Sequence, residues 1–248
     1  TIITEEQWLK LKSILLDLNV YDKPSLKKTF LGIIYRLKTG CQWRYLPSCY
    51  GKANTVFKAF RRWSATGLFY KLFKRLIQRA DTEWISIDAT HVRAHQSSAG
   101  AVGGGHQNIA KSIGGNSSKI HLAVDAHGNP LEFLVGDGIT HDIKIAPMLL
   151  QLLDLKDTEF LNADKGYDSE EFRNLAYTKG VRANIPRKKN ARTSNSHMDW
   201  LIYQARHVVE NTFANLKHYR ALSSRYDKLL SSYISTVALA CGLIWLNL

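Results

Sequence analysis

Apolar residues recur at helical spacing through residues 1–80 of the chain. Three stripes are formed by Trp8, Leu11, Leu15 and Leu18; by Phe30, Ile33, Ile34 and Leu37; and by Val56, Phe57, Phe60 and Trp63. Thr4 and Gln7 have the spacing of a capping box before the first stripe, and Gly40 and Gly67 stop the second and third. With a fourth helix after Gly67, the pattern predicts a small all-helical domain over residues 1–80.

The hydrophobic period changes after residue 83. The segment "EWISIDATHV" predicts a strand that ends at Asp88, and "KIHLAVDAHGNPLEFLVGDG" predicts a hairpin with its turn at "HGNP". Helices around Leu149 and over residues 169–179 alternate with the short strands "EFLNAD" and "VRANI", and two helices follow. The order β-β-β-α-β-α-β-α-α predicts a second domain, residues 81–248, built on a mixed α/β sheet.

The last 20 residues, "LLSSYISTVALACGLIWLNL", carry no charge and nearly reach the length of a membrane span. Several Ser and Thr side chains and the lack of a following basic residue argue against a span, so we expect a helix buried inside the second domain. The three cysteines contain no CxxC pair, and no signal peptide is recognisable. We therefore expect a reducing, cytoplasmic compartment and no membrane partner.

Charge points to the class of partner. The chain has 34 Lys and Arg against 21 Asp and Glu, a net charge of +13, and such an excess favours a polyanion. Nucleic acid fits better than a membrane, because no basic run flanks an amphipathic anchor. Lys58, Arg61 and Arg62 share a face of the third predicted helix, which suits a helix-turn-helix-like DNA-binding module, although a solvated face has the same pattern.

The segment "YQARHVVENTFANLK" predicts an amphipathic helix with an unusual polar line. Its apolar stripe consists of Ile202, Ala205, Val209, Thr212 and Leu216. Beside that stripe, Tyr203, Arg206, Glu210 and Lys217 fall within about 60° of one line at about 100° per residue. An i,i+4 ion pair explains Arg206 and Glu210 alone. The line is therefore either a salt-bridged solvent face or part of a site.

Two carboxylates lie where strands are predicted to end. Asp88 closes the first strand and Asp164 follows "EFLNA", so both emerge at one sheet edge if those strands are parallel neighbours. Glu210 would bring a third carboxylate to that edge. Three adjacent carboxylates repel one another unless a cation neutralises them, and oxygen-only ligands favour Mg²⁺ or Mn²⁺. Two such ions are suited to phosphodiester chemistry. A single strand-end Asp, by contrast, is more often a turn or cap residue.

The motifs in combination resemble a known family. "LGIIYRLKTGCQWRYLP", "IDATHVRAH", "NADKGYDS" and the unbroken Tyr-x2-Arg-x3-Glu-x6-Lys pattern at residues 203–217 are similar to DDE transposases of the insertion-sequence-five type, in the insertion-sequence-four superfamily. The resemblance implies a ribonuclease H-like catalytic domain preceded by the helical DNA-binding domain. It also implies a metal-binding catalytic triad of Asp88, Asp164 and Glu210. With 45 residues between Asp164 and Glu210, the chain has the compact form of that domain.

The resemblance further implies an activity. The protein is expected to bind the inverted repeats of an insertion sequence, to cleave double-stranded DNA at the element ends and to join the 3′-hydroxyl ends to target DNA. It is expected to act as a homo-oligomer associated with the bacterial nucleoid and not with a membrane. The alternatives are an inactive, DNA-binding remnant and a metal-dependent nuclease without strand transfer.

Other residues receive roles from the same resemblance or from their local pattern. Expected phosphate contacts are Arg206, Lys217, Lys58, Arg61, Arg62, Arg187, Lys188, Lys189 and Arg192, with Tyr203 orienting DNA or a neighbouring side chain. Tyr167 and Lys165 either stack on a displaced nucleotide or pack locally. Asp125 and Asp168 are interpreted as turn and cap residues, and His91 and His121 as structural.

Overall fold

The computed structural model describes residues 3–101, 105–189, 191 and 193–247. The helices are α1 (Glu5–Asp17), α2 (Leu26–Thr39), α3 (Ala53–Ala65), α4 (Leu68–Leu76), α5 (Asp142–Gln151), α6 (Glu170–Thr178), α7 (Trp200–Gln204), α8 (His207–Lys217), α9 (Arg220–Ser223) and α10 (Leu230–Leu246). The strands are β1 (Trp84–Ala94), β2 (Ala110–Ser112), β3 (Gly115–Val124), β4 (Pro130–Asp137), β5 (Phe160–Asn162), β6 (Arg182–Asn184) and β7 (Ser224–Arg225).

These elements form two compact units. The helical unit comprises the described parts of residues 1–78, 93–107 and 216–248, and the sheet unit comprises those of 79–92 and 108–215. In the helical unit, α1 to α4 form where the apolar stripes predict them. Both hydrogen bonds of the predicted capping box are present, at 3.1 Å and 2.8 Å between Thr4 and Gln7. Gly40 ends α2 in a left-handed conformation with φ 66°, which glycine adopts without steric cost.

The core of the helical unit is aromatic. The ring of Phe30 lies 6.2 Å from that of Trp8 and 6.3 Å from those of Trp63 and Phe69, so α1 to α4 meet at one fully buried side chain. Burying a side chain of this size stabilises a fold by about 1.5–3 kcal/mol. The stripes therefore determine not only the helices but also the faces on which they pack.

The C-terminal helix packs in a different place from the one expected from the sequence. α10 is buried along most of its length, as its uniform hydrophobicity predicts, but it packs against α3 and α4 in the helical unit. Gly242 allows this approach, since a Cβ atom there would lie 3.2 Å from Leu76. The expectation of a helix inside the second domain is therefore wrong about its neighbours. Within the described ranges, no helix is both long and apolar enough to cross a bilayer.

The sheet unit contains a mixed sheet. Its strands follow the order β4-β3-β1-β5-β6, with β2 also paired to β3. β1, β5 and β6 are mutually parallel, whereas β3 and β4 form the predicted antiparallel hairpin. In its turn, Asp125 accepts hydrogen bonds from the backbone N–H groups of His127 and Asn129, so the interpretation of Asp125 as a turn residue is confirmed. This strand order is the ribonuclease H-like arrangement that the resemblance implies.

Two local predictions are wrong in detail. β1 does not end at Asp88 but continues to Ala94, and its last two residues pair with β7 in the helical unit. The predicted single helix after residue 200 is two helices, α7 and α8, separated at Ala205 and Arg206. Both differences depend on contacts between residues far apart in the chain, to which a local hydrophobic pattern is insensitive.

Candidate active site

The pairing of β1 with β5 brings two of the predicted carboxylates to one level. Trp84 pairs with Phe160, Ile85 with Leu161 and Ser86 with Asn162. Asp88 and Asp164 each lie two residues beyond the last of these pairs. The strands are parallel neighbours, which is the condition under which both carboxylates reach one sheet edge.

Asp164 also shapes the turn that follows β5. It caps the 3-10 helix Lys165–Tyr167, and its Oδ1 atom accepts a hydrogen bond from the backbone N–H of Gly166 at 2.7 Å. A Cβ atom at position 166 would lie 2.8 Å from that same oxygen. Gly166 is therefore required for the backbone to approach the carboxylate this closely.

The break between α7 and α8 positions the third carboxylate. Around it the backbone hydrogen bonds run three residues back rather than four, including Arg206 N–H to Tyr203 at 3.0 Å and Val209 N–H to Arg206 at 3.1 Å. The carbonyl of Ile202 also accepts a hydrogen bond from the Asn162 side chain of β5, at 3.4 Å. This contact ties the end of α7 to the strand that precedes Asp164.

Arg206, in the turn between the two helices, links two of the predicted triad residues. Its Nη2 atom lies 2.6 Å from Glu210 Oε1 and its Nη1 atom 3.5 Å from Asp88 Oδ2. The guanidinium group lies 5.9 Å from the centre of the Tyr203 ring, within the range of a cation–π contact. The structure thus brings Tyr203, Arg206 and Glu210 together despite the helix break. Lys217 is exposed as the last residue of α8.

The pKa of Asp88 is affected by the charges of the other two acids. The pKa of this carboxyl is raised to about 6 from the ordinary 3.8, mainly by burial, with smaller contributions from the charges of Asp164 and Glu210. The backbone N–H of Ala89, at 2.8 Å, and the charge of Arg206 act in the opposite direction. Burial thus outweighs both opposing contributions, and a perturbed carboxyl of this kind is typical of functional sites.

We expect Asp88→Asn to stabilise the metal-free protein. Below about pH 4 the carboxyl is protonated in both folded and unfolded chains, so the substitution changes little. As pH rises from about 4 to 6, the unfolded chain releases its proton while the folded chain retains it, and wild-type stability falls. Above pH 6 the variant should therefore be more stable by about 1–3 kcal/mol. Urea unfolding in a metal chelator at pH 4 and pH 7.5 measures this gain.

The control for this substitution is Asp157→Asn, at an exposed position of the same unit. It should change the unfolding free energy by less than about 0.5 kcal/mol at either pH. A loss of stability in Asp88→Asn at pH 7.5 would contradict the burial and charge repulsion argued for Asp88.

The donor set suits a hard divalent cation, but the carboxylates do not form a closed cage. Among the described residues, no group of three His, Cys, Asp or Glu side chains is close enough together to hold a metal ion. The positive charge between Asp88 and Glu210 is the guanidinium of Arg206. The three acids nevertheless offer only oxygen atoms, the ligands that Mg²⁺ and Mn²⁺ prefer.

Tyr167 lies close to the acids but is not placed as a nucleotide-stacking residue would be. Its ring is 3% exposed, so it packs locally and is not available to stack on a nucleotide. Burial and the charges of Asp88, Asp142 and Asp164 raise its pKa, which keeps the hydroxyl protonated as a donor. The residue pattern "KGYDS" after a strand indicates the position of Tyr167 but not its burial.

Asp142, at the start of α5, contacts two side chains of β3. Lys119 Nζ lies 2.9 Å from its Oδ1 atom and His121 Nδ1 3.9 Å from the same oxygen. Burial lowers the pKa of His121 to about 4, so its ring is neutral near pH 7. Lys119 and His121 are two residues apart on a strand and therefore point to one face. The alternation of side chains along a strand is enough to predict this shared face from the sequence.

Comparison with protein families identifies the chain. The model of the transposase DDE domain matches residues 79–245, and the model of transposases assigned to the IS4/5 family matches residues 3–73. The chain belongs to the DDE transposase family. The two matches meet between residues 73 and 79, close to the boundary expected from the sequence, although the final helix packs with the N-terminal ones. The fold class and the family inferred from the motifs are confirmed.

Relatives of this transposase agree with the family models. A protein assigned as the transposase of insertion sequence element IS6501 of Brucella ovis is 35% identical over 136 residues, which are 53% of this chain and 99% of that protein. One assigned to element IS402 of Burkholderia cepacia is 29% identical over 142 residues, 52% of this chain and 63% of that protein.

Two solved structures also align with the transposase. They are a Mos1 transposase paired-end complex with left transposon end and a pre-cleavage Mos1 transpososome, at 8% and 10% identity and TM-scores of 0.29 and 0.31. The alignments cover 81% and 92% of this chain and 82% and 80% of those chains. Similarity at this level supports no argument, and the ribonuclease H-like assignment depends on the strand order.

The basic residues predicted to contact DNA fall into two groups in this transposase. Lys58, Arg61 and Arg62 are exposed on α3, and residues 23–80 contain no Asp or Glu to neutralise them. Arg187, in contrast, pairs with Glu170 and lies 3.6 Å from Asp168. Its guanidinium is therefore already balanced by carboxylates.

The rest of the basic loop is only partly paired. Lys188 donates hydrogen bonds to Asp168 through both its backbone N–H and its Nζ atom, and Lys189 is exposed. Asp168 also holds Arg173 at 2.9 Å, so it organises this loop rather than simply capping α6. Arg192 lies outside the described residues. The loop contacts with DNA remain predictions.

Proposed function

We propose that this transposase binds the terminal inverted repeats of an insertion sequence, cleaves DNA at the element ends and joins the 3′-hydroxyl ends to target DNA. The observation that supports the proposal is the parallel pairing of β1 with β5, which reaches to two residues before Asp88 and Asp164, together with Arg206, which lies within reach of both Asp88 and Glu210. Asp88, Asp164 and Glu210 would hold Mg²⁺ or Mn²⁺, most simply as two ions. The metal would supply charge stabilisation for an in-line phosphodiester displacement.

The residues around the acids have roles of their own in this proposal. Arg206 balances the charges of Asp88 and Glu210, and its guanidinium can turn to a DNA phosphate as a charge-assisted donor. Tyr203 holds the guanidinium plane from one side. Tyr167, kept protonated by its burial and by the neighbouring carboxylates, cannot add another negative charge. A water and then a DNA hydroxyl serve as nucleophiles, so no covalent protein nucleophile is required.

DNA recognition is assigned to the helical unit. A groove of about 1010 Å³ runs along α3 and is lined in part by Lys58, Arg62 and Lys71. These cations suit contacts with the phosphates of double-stranded DNA, because Lys58 and Arg62 are exposed on α3 and Lys71 is exposed on α4. Assembly as a homo-oligomer on paired ends, and a cytoplasmic, nucleoid-associated location, complete the proposal.

We expect the double substitution Lys58→Gln and Arg62→Gln to weaken DNA binding without changing the fold. Removing one cation that touches a phosphate should reduce the slope of log affinity against log salt concentration by about 1, so removing the pair should reduce it by about 2. Fluorescence anisotropy on end DNA across a salt series measures this slope. Lys179→Gln, an exposed cation after α6, is the control and should leave the slope unchanged.

The deciding experiment for the whole proposal uses DNA that carries the genomic flanks of this reading frame. Purified protein should cleave at the element ends and join them to a target plasmid when Mg²⁺ or Mn²⁺ is present, and not in a chelator. Binding without any cleavage would indicate an inactive remnant. Cleavage without joined products would indicate a nuclease. Either result overturns the proposal as stated.

A further inference from the structure

A second pocket lies within the helical unit, and Arg61 is the one lining residue to which a functional role has been given above. It has a volume of about 420 Å³. Its walls come from the turn after α2, from α3, and from the segment that connects β7 to α10. A volume of this size falls within the range of pockets that bind small molecules.

The walls of this pocket are aromatic. The ring of Trp43 lies 5.5 Å from that of Phe57 and 5.1 Å from that of Phe60. On the side of the β7–α10 segment, the ring of Tyr226 is stacked at 4.6 Å on that of His95 and is 50% exposed. Flat apolar walls of this kind suit a planar aromatic ligand, because ring faces stack on one another.

Two residues of the pocket lining carry a buried polar atom that has no hydrogen-bond partner among the described residues. Arg36 and Ser232 line the pocket, are 7% and 3% exposed, and have an Nε atom and an Oγ atom, respectively, without a hydrogen-bond partner in the described structure. The other two nitrogens of the Arg36 guanidinium are held by Asp227 at 3.1 Å and 3.3 Å. A buried polar group without a hydrogen-bond partner costs free energy. A ligand with polar ring edges could form hydrogen bonds with these two groups, whereas an apolar ligand would leave them unpaired.

The charge at the opening is positive. Arg61 and Lys228 line the pocket and are exposed, whereas Asp227, the one acidic residue of the lining, is engaged by Arg36 and by the Thr236 hydroxyl at 3.1 Å. An anionic group attached to the aromatic ligand would therefore be favoured at the opening. A nucleotide combines these three features: a flat ring, a polar ring edge and an attached anionic group.

We propose that this pocket binds one unpaired nucleotide of a DNA strand. The base lies between Trp43 and Tyr226 and meets Arg36 Nε and Ser232 Oγ with its polar edge, and the phosphate lies beside Arg61 and Lys228. A paired base is excluded because its partner strand and its stacked neighbours do not fit in about 420 Å³. The proposal rests on the proposed function for its source of nucleotides, DNA, and not for the chemistry of the pocket.

The three cysteines of the native chain allow a direct test. Cys41 lines the pocket and is half-exposed, Cys49 is exposed outside the lining, and Cys241 is fully buried. The rates at which iodoacetamide alkylates Cys41 and Cys49 are followed by peptide mass spectrometry, in a chelator. Single-stranded oligodeoxythymidine should slow the alkylation of Cys41 by about 10-fold or more and leave the alkylation rate of Cys49 unchanged. The same sequence as a blunt duplex should not slow Cys41.

A strand of the same length without bases separates base insertion from phosphate binding. This strand should leave the alkylation rate of Cys41 unchanged. Protection of Cys41 equal to that given by oligodeoxythymidine would overturn the proposal. Equal slowing of Cys41 and Cys49, or no slowing of either, would also overturn it. Thymidine monophosphate is the third probe. If it protects Cys41 as well as the strand does at equal nucleotide concentration, the ligand is a free nucleotide and the assignment to DNA is wrong.

Substitution of the exposed wall supplies independent evidence. Tyr226→Ala should weaken single-strand binding by about 10-fold, the usual reduction when one base–aromatic stack is removed. Tyr45→Ala, an exposed aromatic residue outside the lining, should not change it. Asp88→Ala should retain the Cys41 protection. In the wild-type protein, absence of cleavage with Cys41 protection intact would count against the proposed function alone, and absence of protection with cleavage intact would count against the pocket alone.

Discussion

Alanine at Asp88, Asp164 or Glu210 is expected to reduce both end cleavage and strand transfer by about a thousandfold or more. That factor corresponds to about 4 kcal/mol of transition-state stabilisation, the scale of a misplaced catalytic metal ion. Because the three acids act as one donor set, each single substitution should cost nearly as much as all three together. Cleavage of a labelled end duplex and joining to a plasmid, with Mg²⁺ and with Mn²⁺, measure the two reactions separately.

Two matched controls make this result specific. Asp157→Ala and Glu171→Ala remove exposed carboxylates from the same unit and should retain wild-type rates. End-DNA binding in a chelator should be unchanged or tighter in the triad variants, because a negative charge near the phosphates has been removed. Cleavage at the wild-type rate by all three variants would show that the acids do not form the catalytic site.

The meeting of Asp88 and Asp164 was predictable because it depends on strand order. Two parallel neighbouring strands bring their carboxyl ends to one edge, and the short apolar runs before each Asp identify such strands. The register could not be predicted, because it is fixed by side-chain packing along the whole of β1 and β5. Nor does the local pattern show that β1 continues six residues beyond Asp88.

The helix break at Ala205 and Arg206 could not have been predicted from periodicity. Residues 202–216 fit one amphipathic helix, whereas in the structure the carbonyl of Ile202 next to the break accepts a hydrogen bond from Asn162, 40 residues away. The spacing nevertheless predicted that Tyr203, Arg206 and Glu210 share one face, and Arg206 and Glu210 form an i,i+4 ion pair there, whereas their roles toward metal and DNA remain predictions. The contact between Arg206 and Glu210 still forms because the backbone at the break changes to hydrogen bonds three residues apart and does not reverse its direction.

The place of α10 shows a different limit of prediction from sequence. A helix that is apolar on all sides must be buried, but the pattern gives no preference for one core over another. The choice is made by specific contacts, among them Thr236 of α10 with Asp227, and Asp227 with Arg36 of α2. Neither Arg36 nor Asp227 stands out in the sequence, since each is a charged residue whose burial is visible only after folding.

Removal of the Asp227 carboxylate is therefore expected to be the most destabilising single change in the helical unit. Arg36 and Asp227 are 7% and 9% exposed, and the two nitrogen–oxygen distances between guanidinium and carboxylate are 3.1 Å and 3.3 Å. Asp227→Ala leaves a buried guanidinium without its counter-charge and the Thr236 hydroxyl without its acceptor. The expected cost in unfolding free energy is about 3–5 kcal/mol, measured by urea denaturation at pH 7.5.

The exposed pair of Lys12 with Asp22, at 2.9 Å in the same unit, is the matched control. Asp22→Ala should cost less than about 1 kcal/mol, because water already solvates both groups. The combination Arg36→Met with Asp227→Leu should recover most of the stability that Asp227→Ala loses, since it removes both charges and keeps the volume. If the double variant is as unstable as Asp227→Ala, the loss comes from packing around α10 and not from the uncompensated charge. Recovery would also separate two functions of Arg36, because a stable double variant without the Arg36 guanidinium should fold but fail to protect Cys41 with single-stranded DNA.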